Sequence, residues 1–119
     1  MNRLVIKVTS GAESPERLSQ AFTVAATAVS AGKDVSLWLT GEASWFALPG
    51  RAEEFKLEHA APLADLLQSI LVTGKVTLCT QCAQRRGIEE SALLSGVRIA
   101  GAASFVDEVM SEGTQALVY

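Results

Sequence analysis

Two cysteines three residues apart are the residues of this sequence best suited to chemistry. They begin and end the segment Cys79-Thr80-Gln81-Cys82, which follows a short apolar run and opens a predicted helix. Unpaired backbone N–H groups and the helix dipole at a helix amino terminus favour an anion, so we expect an accessible thiolate at Cys79. Cys82 follows one helical turn later, close enough for a disulfide or for joint metal ligation. The segment predicts a reactive thiol at position 79, with Cys82 as the weaker candidate.

A plainer interpretation of the same residues stays open. Free cysteine is among the most buried residue types, so Cys79 is also compatible with a small core residue. Arg85 and Arg86 suit a solvated helix end, where cations complement the dipole, and either one also suits contact with a thiolate or an anionic substrate. We favour a functional thiol because Cys79 ends a predicted strand, and ligands of parallel sheets bind beyond the carboxyl ends of strands.

Other chemistries find little support in the sequence. A structural zinc ion needs about four ligands, and the chain offers two cysteines and His59, so we expect no metal and no cofactor. A single histidine also supplies no Ser-His-Asp set, which argues against a hydrolase. The 10–15 loop precedes a predicted helix but lacks the Gly-x-Gly-x-x-Gly spacing of dinucleotide sites.

Length and composition indicate one domain over residues 1–119. Hydrophobic residues make up 49% of the chain and charged residues 19%, so we expect some apolar surface to lie in a subunit interface. The net charge of −3 and the absence of a basic cluster beyond Arg85-Arg86 argue against nucleic acid. No apolar run approaches the ~18 residues of a membrane span, and the amino-terminal run breaks at Lys7, too early for a signal peptide. We therefore expect a cytoplasmic protein that binds neither nucleic acid nor membrane.

Hydrophobic periodicity predicts alternating strands and helices that position the cysteines. The predicted strands cover residues 4–8, 35–39, 76–79, 97–100 and 116–118. Predicted helices cover residues 15–31, 62–74 and 80–87, with short helical turns expected within 42–58 and 88–94. A last helix has a predicted inward face of Phe105, Val106, Val109 and Met110. The order β-α-β-α-β-α-β-α-β predicts a three-layer α/β/α sandwich with a five-stranded, mainly parallel sheet.

The carboxyl ends of parallel strands share one edge of the sheet, so four segments of the chain should converge there. These segments are residues 10–14, 41–46, 79–86 and 101–104. Besides the two cysteines, the candidate binding residues at this edge are Ser10, Gly11, Gly41, Glu42, Thr80, Gln81, Arg85 and Arg86.

With these elements in place, the chain resembles the DsrE/DsrF-like family, small α/β proteins that include sulfur-relay subunits and YchN-type proteins. The specific part of the resemblance is the strand, Cys79, the helix and then Arg85-Arg86-Gly87-Ile88. The Ser10-Gly11 turn, the Leu39-Thr40-Gly41-Glu42 strand end and the Pro62-Leu63 helix are similar but less specific. In relay members the sulfur-carrying cysteine lies eight residues before the glycine of an Arg-Gly-Ile/Val sequence, the position of Cys79.

The resemblance implies a persulfide carrier or sulfurtransferase with Cys79 as acceptor, working with sulfur donor and acceptor proteins as a homotrimer or homohexamer. Cys82 departs from the plain relay pattern and is able to resolve a persulfide as an intramolecular disulfide. Two other functions stay open. One is a non-catalytic oligomeric module that binds a small ligand or a protein. The other is a Cys-x-x-Cys thiol–disulfide oxidoreductase, which the lack of a thioredoxin-like proline loop disfavours.

Overall fold

Five parallel strands form one sheet in the computed structural model, which describes residues 2–119. They are β1 (Arg3–Val8), β2 (Asp34–Leu39), β3 (Lys75–Cys79), β4 (Val97–Ala100) and β5 (Thr114–Val118). Their spatial order is β4-β3-β2-β1-β5, and every neighbouring pair is parallel. The helices are α1 (Pro15–Ser30), α2 (Arg51–Glu54), α3 (Leu63–Thr73), α4 (Thr80–Arg85) and α5 (Ala102–Val109), with 3₁₀ turns at Gly41–Ala47 and Glu90–Ala92. The predicted sheet is confirmed and is parallel throughout.

Helix α1 shows how the local sequence sets element boundaries. Pro15 occupies its first turn, where a missing N–H costs no hydrogen bond. Leu18 and Phe22 follow at helical spacing and are fully buried. Past the helix end, Gly32 adopts a φ of +80°, which stops the helix. Ser14 precedes the helix without a capping hydrogen bond from its side chain, so proline and packing define this start.

The other predicted boundaries lie close to the observed ones. Helix α3 begins at Leu63, directly after Pro62, and ends before Gly74. The 42–58 segment contains a 3₁₀ turn and the four-residue α2, in keeping with the expected helical turn and loop. The longest helix has 16 residues, and among residues 2–119 no helix has the length and apolarity to cross a membrane.

The strand order places the helices unequally on the two faces of the sheet. From β1 to β4 the chain steps in one direction, so right-handed crossovers put α1 and α3 together on one face. These two helices pack against each other there. The last crossover runs back from β4 to β5, which puts the eight-residue α5 on the opposite face. The result is a three-layer sandwich in which one outer layer is much thinner than the other.

Apolar side chains fill the space between the sheet and the thicker layer. Alternate strand residues such as Ile6, Leu37 and Leu78 point to this side and are fully buried. Phe22 of α1 and Ile70 of α3 meet them from the helices. Truncation of one such leucine to alanine typically costs about 2–5 kcal/mol. This core fixes the positions of β1, β2 and β3, whose carboxyl ends carry the site.

The opposite face contains a polar cluster that is organised around the buried carboxylate of Glu108 on α5. Ser36 Oγ donates a hydrogen bond to it at 2.6 Å, and Trp38 Nε1 donates another at 3.1 Å. The Arg98 guanidinium pairs with the same carboxylate and also donates to Thr77 Oγ1 at 2.7 Å. Burial raises the pKa of Glu108, but these hydrogen bonds and the Arg98 charge outweigh it and hold the pKa below its usual range.

The predicted inward face of α5 is wrong in part. Val106 is 53% exposed and Met110 is 77% exposed, whereas Glu108 is only 8% exposed. Phe105 does point inward, with its ring centroid 5.3 Å from that of Trp38. Apolar periodicity misplaced the face because Glu108 is stabilised inside by Ser36 and Trp38 of β2 and Arg98 of β4, which no local pattern reveals.

We expect Glu108→Gln to lower the free energy of unfolding at pH 7 by about 2 kcal/mol, because it leaves the Arg98 charge unpaired. The native pKa of Glu108 lies below the unfolded value, so the contribution is present at neutral pH and is lost as the pH falls through the lowered pKa. Urea unfolding of both proteins between pH 7 and pH 3 measures this, and the difference between them should shrink with acid. Asp107→Asn, at an exposed neighbour on the same helix, is the control. A difference that is constant with pH would contradict the ion pair.

Candidate functional site

A cavity of about 640 Å³ opens at the carboxyl edge of the sheet, on the α5 side. Its size is within the usual range for small-molecule sites. Trp38 of β2 and Phe105 of α5 form aromatic walls in edge-to-face contact. The residues that line it come from the ends of β1, β2 and β3 and from the start of α5: Lys7, Thr9, Trp38, Thr40, Gly41, Cys79, Thr80, Gln81, Cys82, Gly101, Ala102 and Phe105.

Cys79 is the last residue of β3 and directly precedes α4, so its half-buried thiol faces this cavity. It occupies the N-cap position of α4 without completing a capping hydrogen bond. Burial raises the pKa of Cys79. Interactions with the Cys82 N–H and thiol, the Gln81 N–H and the charge of Lys7 outweigh that effect and lower the pKa below its usual value. The expected accessible thiolate therefore has a physical basis in four neighbouring groups.

Cys82 is buried and lies against the end of β2. Its Sγ accepts a hydrogen bond from the backbone N–H of Gly41 at 3.3 Å. Gly41 adopts a φ of +53°, and a Cβ there would lie 2.4 Å from the Thr9 carbonyl oxygen. Only glycine allows the ends of β1 and β2 to approach this closely. Cys82 is thus part of the cavity lining but is less accessible than Cys79.

The structure brings Gly41, Thr80 and Gln81 into the cavity with the two cysteines, but it places the other predicted binding residues outside. Arg86 forms an ion pair with Glu42 at 2.8 Å and donates to the Cys82 carbonyl oxygen at 3.2 Å. These contacts brace α4 against the 3₁₀ turn. Arg85 is exposed at the end of α4.

The Ser10-Gly11 turn lies outside the cavity and packs against the 3₁₀ turn that follows β2. The buried Ser10 hydroxyl accepts a hydrogen bond from Arg17 at 3.4 Å, and the Gly11 N–H donates to Glu13 at 2.8 Å. A Cβ at Gly11 would lie 2.5 Å from the Glu42 carbonyl oxygen, so this turn packs closely against the 3₁₀ turn. Among residues 2–119, no group of three or more His, Cys, Asp and Glu side chains is arranged to hold a metal ion.

Sequence reasoning did not include several residues among the candidates for the site, although they line the cavity: Lys7, Thr9, Trp38, Thr40 and Phe105. A signal for Lys7 was available. It interrupts an otherwise apolar strand one residue before its end, and strand alternation turns it away from the α1 side that Ile6 and Val8 occupy. The same alternation puts Trp38 on the Lys7 side, because the two residues are register partners.

Residues 2–118 match the sequence model of the DsrE/DsrF-like family, so the chain belongs to that family. The resemblance drawn from the cysteine segment is confirmed. The uncharacterized protein MJ0760 of Methanocaldococcus jannaschii is 31% identical over 108 residues, which cover 90% of this chain. They cover only 39% of MJ0760, so the chain spans well under half of that relative's length.

Solved structures show the same fold. The YchN protein from Escherichia coli superposes with a TM-score of 0.83 at 22% identity, with full coverage of both chains. MTH1491 from Methanobacterium thermoautotrophicum, described as a protein of unknown function, gives a TM-score of 0.69 at 11% identity, also with full coverage of both chains. The three-layer architecture is therefore shared at low sequence identity.

We expect Cys79 to react with iodoacetamide faster than Cys82, with a midpoint below the ~8.5 of a free thiol. Its lowered pKa increases the thiolate fraction at a given pH, whereas Cys82 is buried. A pH series of alkylation rates, read by site-resolved mass spectrometry, measures both. Cys82→Ala should move the Cys79 midpoint upward, because it removes a thiol that stabilises the anion. Equal, slow labelling of the two cysteines would leave only the interpretation of Cys79 as a core residue.

Proposed function

We propose that this protein carries sulfane sulfur, with Cys79 accepting it as a persulfide and passing it to a partner thiol. The observation that carries the proposal is a half-buried thiol at the junction of β3 and α4 that faces an open cavity. Nearby N–H groups and the Lys7 charge lower the pKa of this thiol. Membership of the DsrE/DsrF-like family supports it, since that family includes sulfur-relay proteins. The proposal sets the reaction in the cytoplasm, a reducing compartment that keeps both thiols free.

Loading is a nucleophilic displacement at sulfur. The Cys79 thiolate attacks the outer sulfur of a donor persulfide R–S–SH and forms a new S–S bond. The S–S bond of the donor breaks, its electron pair leaves on R–S⁻, and Cys79 carries the –SH group. The N–H groups and the Lys7 charge that lower the pKa of the Cys79 thiol also favour the persulfide anion. An acceptor thiolate then takes the outer sulfur by the same step.

Cys82 supplies a route that ends the loaded state. Its thiolate attacks the inner sulfur of the Cys79 persulfide, which forms the Cys79–Cys82 disulfide and expels HS⁻. The reaction needs no added oxidant, because the persulfide sulfur is the group that is reduced. Burial of Cys82 and its hydrogen bond from Gly41 slow this attack, and they therefore favour transfer to a partner.

A second candidate is a binding module for a small ligand. The cavity of about 640 Å³ with Trp38 and Phe105 as walls favours this function, since one sulfur atom needs much less space. In that case the cysteines are part of the lining, and Cys79→Ser leaves ligand binding intact.

The proposal includes a homotrimer or homohexamer with cysteine cavities near the subunit interfaces. Support comes from exposed apolar side chains on the thin side of the sheet. Val106 and Met110 of α5 and Val118 of β5 are more than half exposed. Apolar side chains grouped on one face are typical of a surface that another subunit covers.

Treatment with polysulfide, or with a cysteine desulfurase and its substrate, should add one sulfur atom to Cys79, as read by intact and site-resolved mass spectrometry. Cys79→Ser should abolish loading. Cys82→Ala should load and should hold the persulfide several-fold longer, because it removes the internal thiol that forms the disulfide. If Cys79→Ser loads as well as wild type, the carrier function fails and the binding module takes its place.

Light scattering in dilute solution should give three or six times the mass of one chain. Met110→Glu should lower this mass, because it puts a charge into the apolar surface around α5. Val72→Glu, at an exposed apolar residue of α3 on the other face, is the matched control and should keep the wild-type mass. A wild-type monomer would rule out the shared interface.

A further inference from the structure

Lys7 is the only charged side chain among the residues that line the Cys79 cavity. Its Nζ lies 5.1 Å from the centroid of the Phe105 ring. The lining includes no Asp or Glu, and within residues 2–119 Lys7 takes part in none of the ion pairs. The ammonium group of the half-buried residue Lys7 is thus directed at a cavity whose lining holds no carboxylate, and the Cys79 thiolate is the one anionic group that this lining can supply.

Three arginines near the sheet, unlike Lys7, form ion pairs with carboxylates. Arg86 pairs with Glu42, Arg98 with Glu108, and Arg3 with Asp34. Partial burial of a cation is costly unless an opposite charge lies close by, and these three arginines have one within the chain. Among residues 2–119 Lys7 has no carboxylate partner of this kind, so it is free to bind an anionic ligand in the cavity beside Cys79.

The shape of the cavity restricts the kind of anion. A volume of about 640 Å³ suits an organic molecule better than a small inorganic ion. Trp38 and Phe105 offer apolar contact, and Thr80 and Gln81 add polar groups beside Cys79. A ligand that fits has an apolar carbon frame and one negative group at Lys7, and its reactive end reaches the thiol.

We infer that the sulfur donor of this site is a low-molecular-weight organic persulfide with a carboxylate, which Lys7 binds while its outer sulfur reaches Cys79. The inference rests on the proposed function and names its substrate class. The Cys79 thiolate forms a bond to the outer sulfur, and the donor S–S bond breaks with its electron pair leaving on the donor thiolate. Lys7 takes no part in the bond changes and acts as a binding residue. Thiosulfate also carries a negative charge and a transferable sulfur atom. The second test below distinguishes thiosulfate from an organic persulfide as the donor.

The first test compares iodoacetate with iodoacetamide at Cys79. Both probes consume the same thiolate, so the ratio of their rates cancels any change in its pKa and reports the preference for an anion. Lys7→Met should lower the iodoacetate-to-iodoacetamide ratio about fivefold. Lys75→Met removes an equal charge at the opposite end of the sheet and should leave the ratio unchanged. An unchanged ratio in Lys7→Met overturns the inference.

The second test measures loading of Cys79 from three donors: the persulfide of N-acetylcysteine, that of its uncharged methyl ester, and thiosulfate. Lys7→Met should raise the half-saturating concentration of the acid about fivefold and should leave that of the ester within twofold. An equal loss with acid and ester would mean that Lys7 acts only on the thiolate, which overturns the inference. Efficient, Lys7-dependent loading from thiosulfate alone would overturn the organic donor.

The two tests also separate this inference from the proposed function. If wild-type protein takes sulfur from none of the donors, the carrier proposal is wrong, whatever the ratio of the iodoacetate and iodoacetamide rates shows. Wild-type protein that loads from the acid and the ester at equal concentrations would keep the carrier function and overturn recognition of the carboxylate by Lys7.

Discussion

The buried carboxylate of Glu108 connects the thin layer of this fold to its sheet. It accepts hydrogen bonds from Ser36 and Trp38 and pairs with Arg98, so one side chain of α5 is tied to two strands. Helix α5 carries Phe105, which forms one wall of the cavity, and its amino end supplies Gly101 and Ala102. The site therefore depends on an electrostatic contact made beside the cavity, where removal of one partner leaves a charge without compensation.

The cavity itself follows from the strand order. The crossover from β4 to β5 passes over β3, β2 and β1, but α5 has eight residues and is roughly 12 Å long. Helices α1 and α3 cover the other face with 16 and 11 residues. A single short helix does not cover a five-stranded sheet, so the strand ends stay open beside it. Parallel strands place their carboxyl ends, and with them Cys79, at this opening.

The charges around the cavity are also arranged asymmetrically. Around the site the acidic groups are already paired, Glu42 with Arg86 and Glu108 with Arg98. Lys7 forms an ion pair with no carboxylate among residues 2–119, and its charge lowers the pKa of Cys79 together with nearby N–H groups. One electrostatic arrangement thus favours a thiolate, a persulfide anion and an anionic donor. Cys82 lies in the same lining but is directed at Gly41, which separates the roles of the two thiols.

Local patterns in the sequence were enough to predict the elements and the place of the thiol. Alternation and β-branched residues predicted β1 and β2, Pro15 and Gly32 bounded α1, and the apolar run before Cys79 put that residue at a strand end. Such signals act within one or two turns of chain, where backbone geometry and side-chain periodicity are set. The order of elements then implied a parallel sheet and one shared edge.

Tertiary structure alone decided which side chains share the cavity and which support it. Glu108 lies outside the apolar face that periodicity predicted for α5, and its partner Ser36 is 72 residues away in the chain. Strand alternation put Lys7 on the α5 side of the sheet, but the approach of Phe105 from α5 makes it a residue of the cavity. Arg86 lies outside the cavity, where it pairs with Glu42 of the 3₁₀ turn. Pairing energies of this kind depend on distance in space, and no periodicity along the chain encodes them.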